Sequence, residues 1–211
     1  MPTSPAPTAL KRRIIVLISG GGSNMQAIVR TAQADNWAQR WGVQVSAVVS
    51  NKVDAGGLAF ARDAGIATHV LPHQSFDSRA AFDQALMQLI DAQDQPIQGY
   101  RPALIVLAGF MRILTPAFVA HFEGRLLNIH PSLLPAFTGL HTHQRALDMG
   151  CICAGATVHQ VTAELDHGKI LAQAVVPILP ADTADTLAAR VLTQEHRLYP
   201  KAIAQWLAAQ G

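Results

Sequence analysis

Five consecutive apolar residues, Ile14 to Ile18, run directly into Ser19-Gly20-Gly21-Gly22-Ser23-Asn24. A run without polar alternation is the pattern of a parallel strand buried on both faces, and such strands occur in sheets covered by helices on each side. Beyond the glycines, Met25, Ile28 and Val29 recur at helical spacing. Strand, glycine turn and helix in that order restrict the chain to an α/β fold, Rossmann-like, with a mostly parallel sheet and helices on both faces. The glycines let the backbone approach an anion, and the free N–H groups of the helix's first turn point at it. Ser23 or Asn24 is expected to cap the helix or to bind the anion directly. A dinucleotide fingerprint needs glycine again at position 25, which is Met25, so a phosphate ester fits better than a nicotinamide cofactor. The plain alternative is a tight turn, and three successive glycines exceed what a turn requires.

The alternation of strand and helix continues. Val43 to Val49 reads as a strand, residues 55–64 as a helix stopped by Gly65, and residues 67–71 as a short strand ended by Pro72. Phe82, Leu86, Leu89 and Ile90 mark the apolar face of the next helix. Arg79 stands near its start, where a cation opposes the helix dipole, so it is either solvated or held there for an anionic ligand. Ala103 to Ala108 forms another buried strand, broken by Gly109. The following Met111, Arg112, Ile113 and Leu114 either line a flat aromatic pocket or form core around a snorkelling arginine. Thr115-Pro116 supplies a cap and a first-position proline for a further helix.

Leu126-Leu127-Asn128-Ile129-His130-Pro131 is the second informative stretch. Asn128 and His130 are two positions apart, so on a strand they share one face, and Pro131 ends the strand. That places an amide and a titratable ring at a carboxyl-terminal strand edge, which faces the ligand crevice in open α/β sheets. The amide can polarise a carbonyl and the imidazole can exchange a proton near neutral pH. After this point the alternation weakens. Residues 154–161 and 170–176 read as two added strands joined by residues 162–169, in which Asp166 is either a turn residue or a partner for His130. Asp182 or Thr183 caps a final helix containing Glu195, and Pro200 is expected to bend or break it.

Of 211 residues, 50% are apolar and 14% charged, and the net charge is +2, which describes a compact globular protein without a nucleic-acid or membrane surface. Residues 1–12 read as a flexible tail, with Lys11-Arg12-Arg13 following the Pro- and Thr-rich opening. A signal peptide has the reverse order, so a cytoplasmic location is expected. Cys151 and Cys153, one residue apart, are poorly placed to bridge each other, and His159 and His167 complete no zinc spacing, so no metal is expected. Residues 13–211 read as a single domain, with a phosphate-binding half over 13–110 and a second half over 111–211.

Four stretches together resemble the phosphoribosylglycinamide formyltransferases, folate-dependent enzymes of purine synthesis: Ser19 to Asn24, Leu107 to Leu114, Asn128 to Pro135, and Glu164-Leu165-Asp166. The resemblance runs from about Ile14 to the final helix. It implies formyl transfer from 10-formyltetrahydrofolate, a co-substrate, to the amine of glycinamide ribonucleotide, by a monomer or homodimer. It further implies that Gly22, Ser23, Asn24, Met25, Gln26 and Glu195 hold the ribonucleotide. Arg79, Met111, Arg112, Ile113, Leu114 and Asn128 correspond to folate-binding positions, and Asn128, His130 and Asp166 to the catalytic trio. Ala136-Phe137-Thr138 and Lys169 depart from the family's pattern. A formyltetrahydrofolate deformylase, which uses water as acceptor, and a non-catalytic phosphate-sensing module are the competing readings.

Overall fold

The computed structural model describes residues 10–94 and 100–210. Most of the expected tail, residues 1–9, lies outside them, and the first strand, β1 (Arg12–Ile18), takes in Arg12, the last residue of that expected tail. The elements that follow are α1 (Ser23–Ala34), α2 (Trp37–Trp41), β2 (Val43–Ser50), α3 (Gly57–Asp63), β3 (Ala67–Val70), α4 (Arg79–Gln93) and β4 (Arg101–Leu107). The second half comprises α5 (Pro116–His121), β5 (Leu126–His130), α6 (Thr142–Asp148), β6 (Cys153–Gln160), β7 (Ile170–Pro177) and α7 (Ala184–Ala209). The five-residue α2 had no distinguishing pattern in the sequence.

The sheet order is β3-β2-β1-β4-β5-β6-β7. Pairings from β3 across to β5 are parallel, and β6 and β7 add to the edge in antiparallel fashion. The chain works outward from β1 to β3 and then returns to place β4 on the other side of β1. The carboxyl ends of β1 and β4 therefore form the topological switch point, the position at which doubly wound sheets bind ligands. Backbone bonds close that junction, with Ser19 N–H donating to the Gly109 carbonyl at 3.1 Å and Ala108 N–H to the Leu17 carbonyl at 2.9 Å.

Alternation along β1 divides the core into two layers. Ile14, Val16 and Ile18 pack with Met25, Ile28 and Val29 of α1 and with Val191, Tyr199 and Ile203 of α7. Ile15 and Leu17 face the opposite layer, built from Phe82, Leu86 and Ile90 of α4, Phe118 of α5 and Phe122 just after it. In β2 the phase slips, because Val45 pairs with Ile14 while Ala47 pairs with Ile15. Ser46 is the extra residue of a bulge, which returns Val48 to the face of Val45.

Two local expectations are corrected. The residue preceding α1 is Gly22 in the left-handed region (φ 66°), and no side chain caps that helix, so neither Ser23 nor Asn24 acts as its cap. Pro200 does not break the final helix, which continues through it to Ala209. A mid-helix proline costs about 3 kcal/mol, and α7 offsets this by burying Leu187, Val191, Tyr199, Ile203 and Trp206 against the sheet. Thr183, not Asp182, caps α7 by accepting the Thr186 N–H.

Candidate active site

His130 ends β5 and is 6% exposed. Its Nε2 lies 2.9 Å from the carbonyl oxygen of Phe137, which can only accept, so this nitrogen carries a proton. Its Nδ1 faces Asp166 Oδ2 at 3.4 Å. Both ring nitrogens thus face oxygen acceptors, an arrangement an imidazolium satisfies in full. Asp166 stands in the left-handed region (φ 58°), a conformation that Asp tolerates better than most side chains. Its Oδ2 also accepts the Gly139 N–H at 2.9 Å, so one carboxylate joins the end of β5 to the two loops over residues 136–141 and 161–169. Of the two readings of Asp166, the structure bears out the one that brings it to His130. Gly168 makes room for that loop, since a Cβ there would collide with the Gln160 carbonyl.

Asn128 lies across the antiparallel β5–β6 pairing from His159. His159 is 2% exposed. Its Nδ1 donates to the Gln160 carbonyl at 2.9 Å, so its Nε2 accepts from Asn128 Nδ2 at 3.2 Å. Burial pushes the His159 imidazole below the usual histidine value, against smaller opposing effects of the Gln160 carbonyl and Asp166, and so keeps this acceptor neutral. His159 Nε2 is also 3.7 Å from Asp166 Oδ1. The sequence offered His159 only as an incomplete zinc ligand. Its register opposite Asn128 required knowing that β6 runs antiparallel to β5.

A cavity of about 870 Å³ opens over this group. Asn128, His130, Asp166 and His159 line it together with Arg79 and Met111 to Leu114. Met111 and Ile113 are 70% and 58% exposed, whereas Arg112 and Leu114 are half-buried, so the stripe is cavity wall on alternate residues rather than core. Arg79, the first residue of α4, is exposed at the cavity rim. Among the described residues no group of three or more His, Cys, Asp or Glu could hold a metal ion, and Cys151 and Cys153 are free thiols.

The glycine turn and Glu195 form a second cluster at the switch point. Asn24 Nδ2 donates to Glu195 Oε2 at 2.6 Å, and both side chains are buried. Tyr199, one turn further along α7, holds this helix in place, since its hydroxyl lies 3.1 Å from the Leu107 carbonyl and 3.0 Å from the Leu127 carbonyl. Gln26 Nε2 donates to the Gly21 carbonyl at 3.2 Å, while Ser23 is exposed and Met25 is buried. A second glycine pair, passed over in the sequence, supports the turn. Gly57 N–H donates to the Gly20 carbonyl at 3.1 Å, and a Cβ on Gly57 would stand 3.2 Å from both Gly21 O and Gly22 Cα.

Gly22→Ala tests this turn. A Cβ at position 22 would lie 3.2 Å from Gly57 Cα, on a backbone with φ 66° that costs a non-glycine residue about 1–2 kcal/mol. Anion affinity at the turn is expected to fall by about tenfold, read by titration with a phosphate ester, while the groups around His130 are unaffected.

Burial, the largest influence on Glu195, pushes its carboxyl above the usual glutamate value, against the Asn24 hydrogen bond and the charge of His130. The folded chain thus holds this proton more tightly than the unfolded chain. The associated stability is complete below the unfolded value of 4.5 and is lost as pH rises through the folded value. Glu195→Gln lacks that loss, so its thermal midpoint is expected to rise relative to wild type as pH increases from about 4 to about 8. A constant difference across that range would contradict the assignment.

The structure is a doubly wound α/β sheet with a glycine turn at its switch point, beside a cavity lined by an Asn, a His and an Asp. The chain belongs to the formyl transferase family, whose model matches residues 12–203. It is similar to phosphoribosylglycinamide formyltransferase of Escherichia coli (strain K12), at 53% identity over 195 residues that cover 92% of this chain and 86% of that protein. The trifunctional purine biosynthetic protein adenosine-3 of Homo sapiens is 41% identical over 193 residues, which are 92% of this chain but 18% of that much longer protein. Among solved structures, phosphoribosylglycinamide formyltransferase from Brucella melitensis superposes with a TM-score of 0.83 at 52% identity, covering 94% of this chain and 96% of that one.

Proposed function

We propose that this chain transfers the formyl group of 10-formyltetrahydrofolate to the amine of glycinamide ribonucleotide, a step of purine biosynthesis. The observation that carries the mechanism is His130, held between a carboxylate and a carbonyl on the floor of the large cavity, with Asn128 on the same strand face. The two substrates have separate places. The ribonucleotide phosphate belongs on the backbone of Gly22, Ser23, Asn24 and Met25, where glycine geometry and the first turn of α1 supply N–H groups; Gln26, whose N–H is bonded to the Gly22 carbonyl, contributes its side chain, and Glu195 presents acceptor oxygens for the hydroxyls. The folate belongs in the cavity, with its flat ring along Met111, Arg112, Ile113 and Leu114 and against Asn128, and a carboxylate of its tail on Arg79. A wall that alternates exposed apolar residues with half-buried ones suits a heteroaromatic ring, so the residues present fit this substrate.

The amine nitrogen attacks the formyl carbon, and the carbonyl oxygen gathers negative charge. His159 engages one N–H of the Asn128 amide and so directs the other to that oxygen. An N–H of His130 is the second donor, and the formyl oxygen takes the place that the Phe137 carbonyl holds on Nε2. The Asn128 donor is fixed before the charge develops and needs no reorganisation when it does, whereas the His130 N–H is freed as the Phe137 carbonyl gives way. Asp166 faces His130 Nδ1 and, through water, carries the proton from the attacking amine to the folate nitrogen whose bond to the formyl carbon breaks. One carbon–nitrogen bond forms, one breaks, and one proton moves between the two nitrogens. No metal or redox group enters this scheme.

The proposal includes a single domain over residues 13–211, a cytoplasmic location, and a monomer or homodimer as the working unit. Among the described residues no helix is long and apolar enough to cross a membrane. Absorbance-monitored consumption of 10-formyltetrahydrofolate by the purified protein tests the reaction. Consumption is expected only when glycinamide ribonucleotide is added. Equal consumption in its absence favours a deformylase, and no consumption in either case favours a phosphate-sensing module.

A further inference from the structure

Residues 110–115 form part of the wall of the large cavity yet belong to no helix or strand. Met111 and Ile113 are largely exposed, so burial of their side chains does not hold the segment in place. Phe110 and Leu114 pack into the core layer at its two ends, and beside them two buried polar side chains hold its backbone. At its start Ser19 Oγ accepts the Met111 N–H at 2.8 Å and donates its own proton to Asn51 Oδ1 at 2.6 Å. At its end Asp83 Oδ2 accepts the Thr115 N–H at 2.6 Å. Ser19, Asn51 and Asp83 are 5%, 2% and 1% exposed, which is deep burial for three polar groups. Ser19 and Asn51 make their hydrogen bonds with each other, Met111 and His73, while Asp83 makes its bond through Oδ2 and leaves Oδ1 without a partner, so the Thr115 N–H is the contact that holds this carboxylate.

Each anchor connects the segment to a different part of the site. Ser19 is the residue that opens the glycine turn, and it sits at the junction of β1 and β4. Asp83 is one turn along α4 from Arg79. The spacing between the phosphate turn, the cavity wall and the rim cation is thus fixed by two hydrogen bonds to backbone N–H groups. We infer that Ser19 and Asp83 are positioning residues for formyl transfer, acting through Met111 and Thr115 to hold the 111–114 backbone where it fits the folate ring. This rests on the folate reading of the cavity. Without an anchor the segment samples other conformations, and folate must restore order when it binds, which weakens binding without altering the groups that react.

The test uses Ser19→Ala and Asp83→Ala, which remove the acceptors, alongside Ser19→Thr and Asp83→Asn, which keep them. Binding of the stable folate 5-formyltetrahydrofolate is measured by calorimetry, and KM for each substrate and kcat are measured by absorbance. Both alanine variants are expected to weaken folate binding and raise the folate KM by about tenfold, with kcat and the ribonucleotide KM within about twofold. Ser19→Thr and Asp83→Asn are expected to restore the folate affinity. Unchanged folate binding, parallel changes in both KM values, or failure of the acceptor-keeping variants to recover overturns the inference. If Asp83→Ala does not fold, the Ser19 pair decides the matter. The binding arm stands independently of turnover, so a wild type that binds the folate but leaves it unconsumed overturns the proposed reaction and not the positioning role.

Discussion

His130→Ala is expected to lower turnover of 10-formyltetrahydrofolate in the presence of glycinamide ribonucleotide by about 10³-fold, with both substrates still binding within a few-fold of wild type. A preorganised donor to a developing oxyanion contributes about 10²–10³ in rate, and proton-transfer assistance about 10²–10⁴. In the proposed scheme the imidazole is the oxyanion donor while Asp166 and water carry the proton, so the expected loss lies at the upper end of the first range. Removal of the ring also frees the Phe137 carbonyl and the Asp166 carboxylate that face it. Those contacts hold the loop over residues 136–141, but other bonds hold it as well. Arg145 donates to the Thr138 carbonyl at 2.6 Å, Ser132 Oγ donates to the Ala136 carbonyl at 2.6 Å, and Asp166 keeps the Gly139 N–H. The variant should therefore fold, and steady-state kinetics beside folate binding by calorimetry separate chemistry from affinity. A loss of less than tenfold would remove His130 from the mechanism.

Asp166→Asn is the second large effect, with an expected loss in kcat of about 10²-fold. This substitution separates charge from shape. Asparagine tolerates the left-handed backbone at φ 58° nearly as well as aspartate does. Its remaining carbonyl oxygen can still accept the Gly139 N–H, so the loop keeps its anchor. What disappears is the negative charge 3.4 Å from His130 Nδ1 and the basic group that moves the proton. The amide would present either a neutral oxygen or an N–H to Nδ1, and neither can take up the proton as a carboxylate does. A thermal midpoint close to wild type together with the loss in kcat is the expected pair of results. A fall in midpoint with kcat retained in the folded fraction would mean that Asp166 serves the loop alone.

The parts of this molecule that depend on local pattern were legible in the sequence. The unbroken run Ile14 to Ile18 reads as a doubly buried strand, and the glycines after it stand at the point where the sheet reverses its winding. Asn128 and His130 could be placed on one face because a strand repeats every two residues and Pro131 stops it. Contacts that depend on tertiary register were not legible. His159 meets Asn128 only because β6 runs back antiparallel beside β5, and the spacing of residues within β6 does not reveal that direction. The contact between Asp166 and His130 depends on a left-handed residue in a loop, which propensity disfavours and tertiary contacts impose. Pro200 does not break α7 because its local penalty is real but small against the packing of a 26-residue helix. Ser23 and Asn24 looked like caps, yet Asn24 points into the core and takes Glu195 as its partner.

The central claim is that the formyl group passes to an amine and not to water. Carbon-13 labelling of the formyl group of 10-formyltetrahydrofolate, followed by nuclear magnetic resonance of the reaction with glycinamide ribonucleotide, tests it directly. The account predicts that the label appears as an N-formyl amide on the ribonucleotide, in amounts equal to the folate consumed. Label recovered as free formate while the ribonucleotide remains unmodified would contradict it.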